Sequence, residues 1–322
     1  GGTPIKKYFG LVIIYHLMYN KNIKNHERKL SMNIFDFNPA ERKKCEEAML
    51  KTWNTLKGAL AKGKFTIYDT ENAKNETFLR QYDDLFRNNL GILNLTTTIS
   101  KLKDTYFAGR GAILKRDENP DYERFIPKKE FITSDNRFSP EGVEWLYIAI
   151  APHNQDEISK HCAEAECRAS AENRFGFCQF NFCDMYKDCK VVDLSVANGT
   201  SYAEINQKLE CYAQEYCRKG MRSVLKTGEI KNVEVERFRQ LFTQWATYTH
   251  TKMLAERIFE PVDTVDKKRE YLPFQCMAQY YISLGYSGII YNSTQYPQGK
   301  NLVLFDKRMA EPFGDIETYC IG

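Results

Sequence analysis

The runs GYSGIIYNST (285–294) and GKNLVLFD (299–306) decide how this chain is read. Upstream, Tyr271 precedes and Gln275 lies in an amphipathic helical pattern over 273–284 that stops at Gly285. The segment therefore reads as helix, glycine-bounded apolar strand, polar loop and second apolar strand. Ser293 falls where a buried strand emerges into a loop, and such strand ends are where rigid scaffolds hold chemical groups.

Outward from this segment, short apolar runs alternate with helical ones from about residue 105. Strands are expected over 145–150, 176–182, 190–194, 288–291 and 301–305, and helices over 155–168, 202–219, 233–258 and 273–284. That alternation predicts a mixed α+β domain. The first hundred residues differ. Over 40–61, Cys45, Met49, Trp53, Leu56 and Leu60 form one apolar helical stripe. A short strand is expected over 63–70 (GKFTIYDT), then a helix over 75–91 stopped by Gly91. The predicted division is a mostly helical region over 1–104 and an α+β domain over 105–322. The charged loop 117–131, with two prolines, is expected on the surface.

Composition bounds the function classes. The chain has 322 residues, 43% of them apolar, and 46 basic against 42 acidic side chains for a net charge of +4. That length buries a sizeable core, and so small a charge gives no case for a nucleic-acid surface. Ten scattered cysteines do not form a small disulfide framework and fit a reducing, cytoplasmic setting. The apolar run within 6–18 is too short to span a bilayer, so no membrane association is expected. His153, His161, Cys162, Cys167, Cys178, Cys183 and Cys189 lack the close pairs of a zinc site, and no metal is expected. Phosphate-loop, dinucleotide-fold and nucleophile-elbow motifs are absent.

Three further residues carry possible chemistry. Arg137 precedes a buried strand, where its planar fork suits a carboxylate or a pyrophosphate. Within that strand, alternation places Trp145, Tyr147 and Ala149 on one face. Glu166 lies on the flank of the 155–168 helix, between its buried and exposed sides. Glu164 and Glu166 spell E-A-E, the element of arginine-directed ADP-ribosyltransferases, but here they precede the serine in the chain.

YFAGRGA (106–112), RFSPEGVEWLYIA (137–149), AEAECRA (163–169), KVVDLS (190–195), YLPFQ (271–275), the NST run at 292–294 and GKNLVLFD occur in the order found in RES domains. From Thr105 to Arg308 the chain thus resembles that NAD-degrading family. Two departures stand out: Ala108 and Gly109 separate the first arginine from the preceding aromatic pair, and the Tyr147–Glu166 stretch is long, leaving Glu164 or Glu157 as alternatives. The resemblance implies an ADP-ribosyltransferase-like fold and cleavage of the nicotinamide–ribose bond, with NAD as substrate and no cofactor. It implies Glu166 at the ribose, Arg110 and Arg137 on the pyrophosphate, Tyr147 beside the nicotinamide and Ser293 bonded to the ribose or carboxamide. Gln275 and Asn301 are expected to fix the loop around Ser293. Many such proteins are toxins, so an antitoxin is an implied partner. Transfer of ADP-ribose to protein, nucleotide sensing without turnover and zinc-dependent nucleic-acid binding are the competing readings.

Overall fold

In the computed structural model, described over residues 39–88, 95–197 and 266–321 with isolated positions between 201 and 256, the first apolar stripe forms helix α1 (Pro39–Ala61). Packing divides the chain into Gly1–Ile34 and Phe35–Gly322, and all described residues belong to the second unit. The helices expected over 202–219 and 233–258 fall almost wholly outside the described residues, and the run 6–18 falls outside them entirely.

After α1 come the short α2 (Thr70–Ala73) and α3 (Thr77–Asn88). No strand forms over 63–70. Phe65 and Ile67 instead turn into the helical core, Gly63 adopts φ 67°, and Asp69 caps α2 by accepting from the Asn72 amide at 3.2 Å. Met49, Trp53, Leu56 and Leu60 of α1 and Phe78, Tyr82 and Phe86 of α3 pack with Phe274, Met277 and Tyr281 of a later helix, α6 (Lys267–Ser283). The Tyr82 and Tyr281 hydroxyls meet at 2.6 Å inside this core. The expected division at 104/105 thus coincides with no break in packing, because the early helices share one core with α6.

The sheet is built from β1 (Thr96–Thr98), β2 (Tyr106–Leu114), β3 (Leu146–Pro152), β4 (Arg174–Phe182), β5 (Lys190–Asp193), β6 (Tyr286–Asn292), β7 (Lys300–Leu304) and β8 (Ala310–Cys320), in the order β1-β5-β6-β7-β3-β2-β4-β8. Every pairing is antiparallel except β5 with β6, whose connection contains α6. The fold is α+β. β1, β2 and β8 had not been expected as strands.

Two apolar layers cover the sheet. On one face α4 (Ile99–Thr105) packs Ile99 and Leu102 with Ala108, Ala112, Ile148, Ile290 and Leu302, together with Phe125 from the 117–131 segment. That phenylalanine is fully buried, so the segment is only partly surface. On the other face α5 (Asp156–Glu166) buries Cys162 and Ala163 against Ala149, Phe175 and Phe177, beside the helical core of α1, α3 and α6. Register aligns Tyr291, Asn301, Ala149 and Gly109 across β6, β7, β3 and β2, and two positions along β3 it aligns Tyr147 with Val303. Strand alternation gives these rows to the α5/α6 face. Gly109 and Gly111 are required there: a Cβ would lie 2.0 Å from the Phe177 ring and 2.1 Å from the Phe175 ring.

The sheet ends at β1, three residues long, and at β8, which is acidic at Glu311, Asp315 and Glu317 and turns through Gly314 at φ 69°.

Candidate active site

Glu166 closes α5. Arg168 follows with a left-handed φ of 53°, and the amides of Cys167 and Arg168 bond back to Ala163 and Ala165. The helix is seated by Ser159, whose hydroxyl donates to the Ala149 carbonyl at 3.0 Å. A carboxylate at a helix C-terminus meets the negative end of the helix dipole, so it needs donors from elsewhere. Two arrive: Ser293 Oγ and Asn301 Nδ2 both donate to Glu166 Oε1, each at 2.6 Å. Oε2 makes no hydrogen bond among the described residues.

Ser293 leaves β6 with its amide bonded to the Gly299 carbonyl at 3.0 Å. Its hydroxyl oxygen also accepts from the Gln295 amide at 3.1 Å and the Tyr296 amide at 2.9 Å. One proton and two lone pairs are all a hydroxyl has, so nothing remains for a ligand. Asn301, 5% exposed in β7, places Oδ1 3.6 Å from the Cys162 thiol. Burial, reinforced by the Glu166 charge, pushes that thiol up to about 12, so it stays a donor. Gly299 lays the loop on α5: a Cβ there would be 2.5 Å from Cys162 Sγ.

A second loop carries Arg137. It is tied down by the Asn136 amide on the Ser139 carbonyl at 2.8 Å, by the Ser139 and Tyr147 hydroxyls at 2.9 Å and by the Glu141 amide on Asp135 at 2.8 Å. Gln275 of α6, 1% exposed, donates from Nε2 to the Asn136 carbonyl at 3.2 Å. The Arg137 guanidinium carbon lies 5.4 Å from the centre of the Phe274 ring. A groove of about 690 Å³ opens beside this loop between Leu60, Phe65, Ile132, Leu272 and Gln275.

Tyr291 joins the two halves. It is 8% exposed, with its ring 5.1 Å from Phe138. Burial raises its phenol well above the ordinary range, the Glu166 carboxylate and Tyr147 add to the rise, and the Arg137 guanidinium opposes it. The Glu166, Tyr147 and Arg137 groups thus all act electrostatically on this one buried phenol. Tyr147 is raised likewise, mainly by burial.

Several expected residues take other places. Arg110 stands opposite Cys178 and has the strand parity of Ala108 and Ala112, while its guanidinium interacts electrostatically with the Cys167 thiol, next in the chain to Glu166. Its Nη1 is buried with no hydrogen-bond partner among the described residues, and desolvation lowers its guanidinium to about 10. Gln275 fixes the Arg137 loop and not the one around Ser293. Asn301 holds Glu166. Glu164 is occupied by the Tyr319 hydroxyl at 2.7 Å and His161 at 3.0 Å, and Glu157 by Lys160 at 3.0 Å, so neither replaces Glu166. Sequence reasoning missed Tyr291, although its place two residues before Ser293 in an alternating strand was legible. Among the described residues no group of three or more His, Cys, Asp or Glu side chains could hold a metal ion, and no helix is long and apolar enough to cross a membrane.

Neither a known family profile nor a curated protein matches the chain. Among solved structures, the M. tuberculosis MbcT-MbcA toxin-antitoxin complex aligns over 69% of this chain and 91% of that chain, at 10% identity and a TM-score of 0.32. A likeness of that size carries no argument.

Proposed function

We propose that this protein cleaves the nicotinamide–ribose bond of NAD. The observation that carries the reading is the Glu166 carboxylate, held through one oxygen by Ser293 and Asn301 with the other making no hydrogen bond among the described residues, and acting together with Arg137 and Tyr147 on the buried Tyr291.

The chemistry suits such a group. Nicotinamide departs from a ring nitrogen that is already cationic, so no general acid is needed, and the barrier lies in the oxocarbenium-like ribose. Glu166 Oε2 opposes that developing charge and holds a ribose hydroxyl. Arg137, cradled on Phe274, takes the pyrophosphate. Arg110, whose charge acts on the Cys167 thiol beside Glu166, is the second cation for the same group. Tyr147 and Tyr291 supply aromatic surface beside the nicotinamide. Ser293 acts through Glu166 and not on the ribose.

The acceptor is water or phosphate. Transfer to protein arginine is disfavoured because Glu164, the first carboxylate of E-A-E, is spent on Tyr319 and His161. A toxin role restrained by an antitoxin belongs to this proposal through the RES resemblance alone.

The test is incubation of the purified chain with NAD, with and without phosphate, followed by identification of the products. Nicotinamide with ADP-ribose, or with its phosphorylated form when phosphate is present, is the expected result. Intact NAD, or bound NAD without turnover, sinks the proposal.

A further inference from the structure

We infer that Asn301 is the positioning residue of this site: its carboxamide, turned by the Cys162 thiol, fixes Glu166 Oε1 and so aims Oε2. This rests on the reading of Glu166 as the ribose carboxylate.

Three observations carry it. First, Asn301 is held within a paired strand. It sits inside β7, in register with Tyr291 of β6 on one side and Ala149 of β3 on the other, whereas Ser293 stands on a loop. Second, its amide has only one sensible orientation. A protonated thiol gives a proton and takes none well, so Cys162, 3.6 Å from Oδ1, turns Nδ2 toward the carboxylate. The same thiol also lies 3.9 Å from the Lys300 carbonyl and interacts with the Ser293 hydroxyl, so the contact with Asn301 is one of several open to it. Third, the side chain is 5% exposed, with Nδ2 on Glu166 and Oδ1 on Cys162, so its burial leaves little of it for NAD to touch. Asn301 therefore affects the reaction by aiming the carboxylate, which governs turnover more than ground-state binding.

Asn301→Leu keeps the volume and removes the donor. The expected result is a fall in kcat of about tenfold or more with KM for NAD within about twofold. A raised KM at unchanged kcat would return Asn301 to substrate binding and overturn the inference, as would unchanged kinetics. Should Asn301→Leu not fold, Cys162→Ala leaves the amide in place and frees its orientation; a several-fold loss of kcat is then expected, and no loss counts against the inference. A second readout needs no turnover. In NMR spectra of the full chain without NAD, an Asn301 side-chain amide proton bonded to carboxylate resonates downfield and exchanges slowly, and Glu166→Gln moves it upfield. A resonance indifferent to Glu166→Gln overturns the positioning role. A responsive resonance in a protein that leaves NAD intact upholds that role and rejects the enzymatic reading alone.

Discussion

The side-chain amide of Gln275 donates to the carbonyl of Asn136 at 3.2 Å, one residue before Arg137, and so joins α6 to the loop that presents the guanidinium. Gln275→Ala leaves that carbonyl without its amide partner and loosens the loop. KM for NAD is expected to rise about tenfold with a smaller change in kcat. Steady-state kinetics check this, and a KM equal to that of the parent chain argues against the tie.

Glu166→Gln keeps the shape of the side chain and removes its charge. NAD consumption is expected to fall by at least about two orders of magnitude, with a melting temperature close to that of the parent. Parent-like turnover would take Glu166 out of the chemistry.

Arg137 and Ser293 should fail differently. Arg137→Ala removes the phosphate contact made in the ground state, so KM rises most. Ser293→Ala removes one of the two donors to Glu166 Oε1 and the acceptor of the Gln295 and Tyr296 amides, so kcat falls most. Equal effects on both constants in both variants would refute this division of roles.

Gly299→Ala inserts a methyl 2.5 Å from Cys162 Sγ and 2.6 Å from its Cβ. The expected cost is about 1–3 kcal/mol from overpacking, together with lost turnover as the 293–299 loop lifts from α5. Urea denaturation reads the first and the NAD assay the second. A variant as stable as the parent would show that the loop moves aside freely.

Alkaline pH should destabilise the fold. Burial raises the Cys162 and Cys276 thiols to about 12 and those of Cys167 and Cys178 to about 11, from 9.0, and it lifts the Tyr82, Tyr147, Tyr281 and Tyr291 phenols above 10.0. The unfolded chain sheds these protons first. Their stabilisation is therefore complete below about pH 9 and is lost as pH climbs through the folded values. Arg110 runs the other way, since its folded value of about 10 lies below 12.5, but it is one group against several. Urea midpoints should fall steadily above about pH 9; midpoints that hold or rise toward pH 11 would contradict this.

Much of the architecture was legible because its strands are apolar and its helices periodic. The runs around Tyr147, Val192, Ile289 and Val303 announced themselves, and the stripe from Met49 to Leu60 fixed α1. β2 was not legible. Its centre is Ala108-Gly109-Arg110-Gly111, small residues whose purpose is to admit the Phe177 and Phe175 rings of the neighbouring strand, and a single sequence does not display that need. β8 hid behind Pro312, Gly314 and its acids, all turn or loop signals. At the site, the serine and the glutamate were found by motif order, and the geometry joins them directly. The partners of Asn301 and Gln275 depend on strand register and on the packing of α6, which lie beyond local pattern. The face of Arg110 was not legible either: parity along a strand decides it, and without β2 there was no parity to count.

The two rims of the sheet leave little for a further strand to build on. Three residues of β1 are too few to template an added chain, and β8 presents carboxylates and a glycine bend along its length. A protein with this many tyrosines and phenylalanines would otherwise risk fibril growth by edge-to-edge stacking. Among the described residues both margins of a wide, strongly apolar sheet thus discourage the growth of one copy onto another.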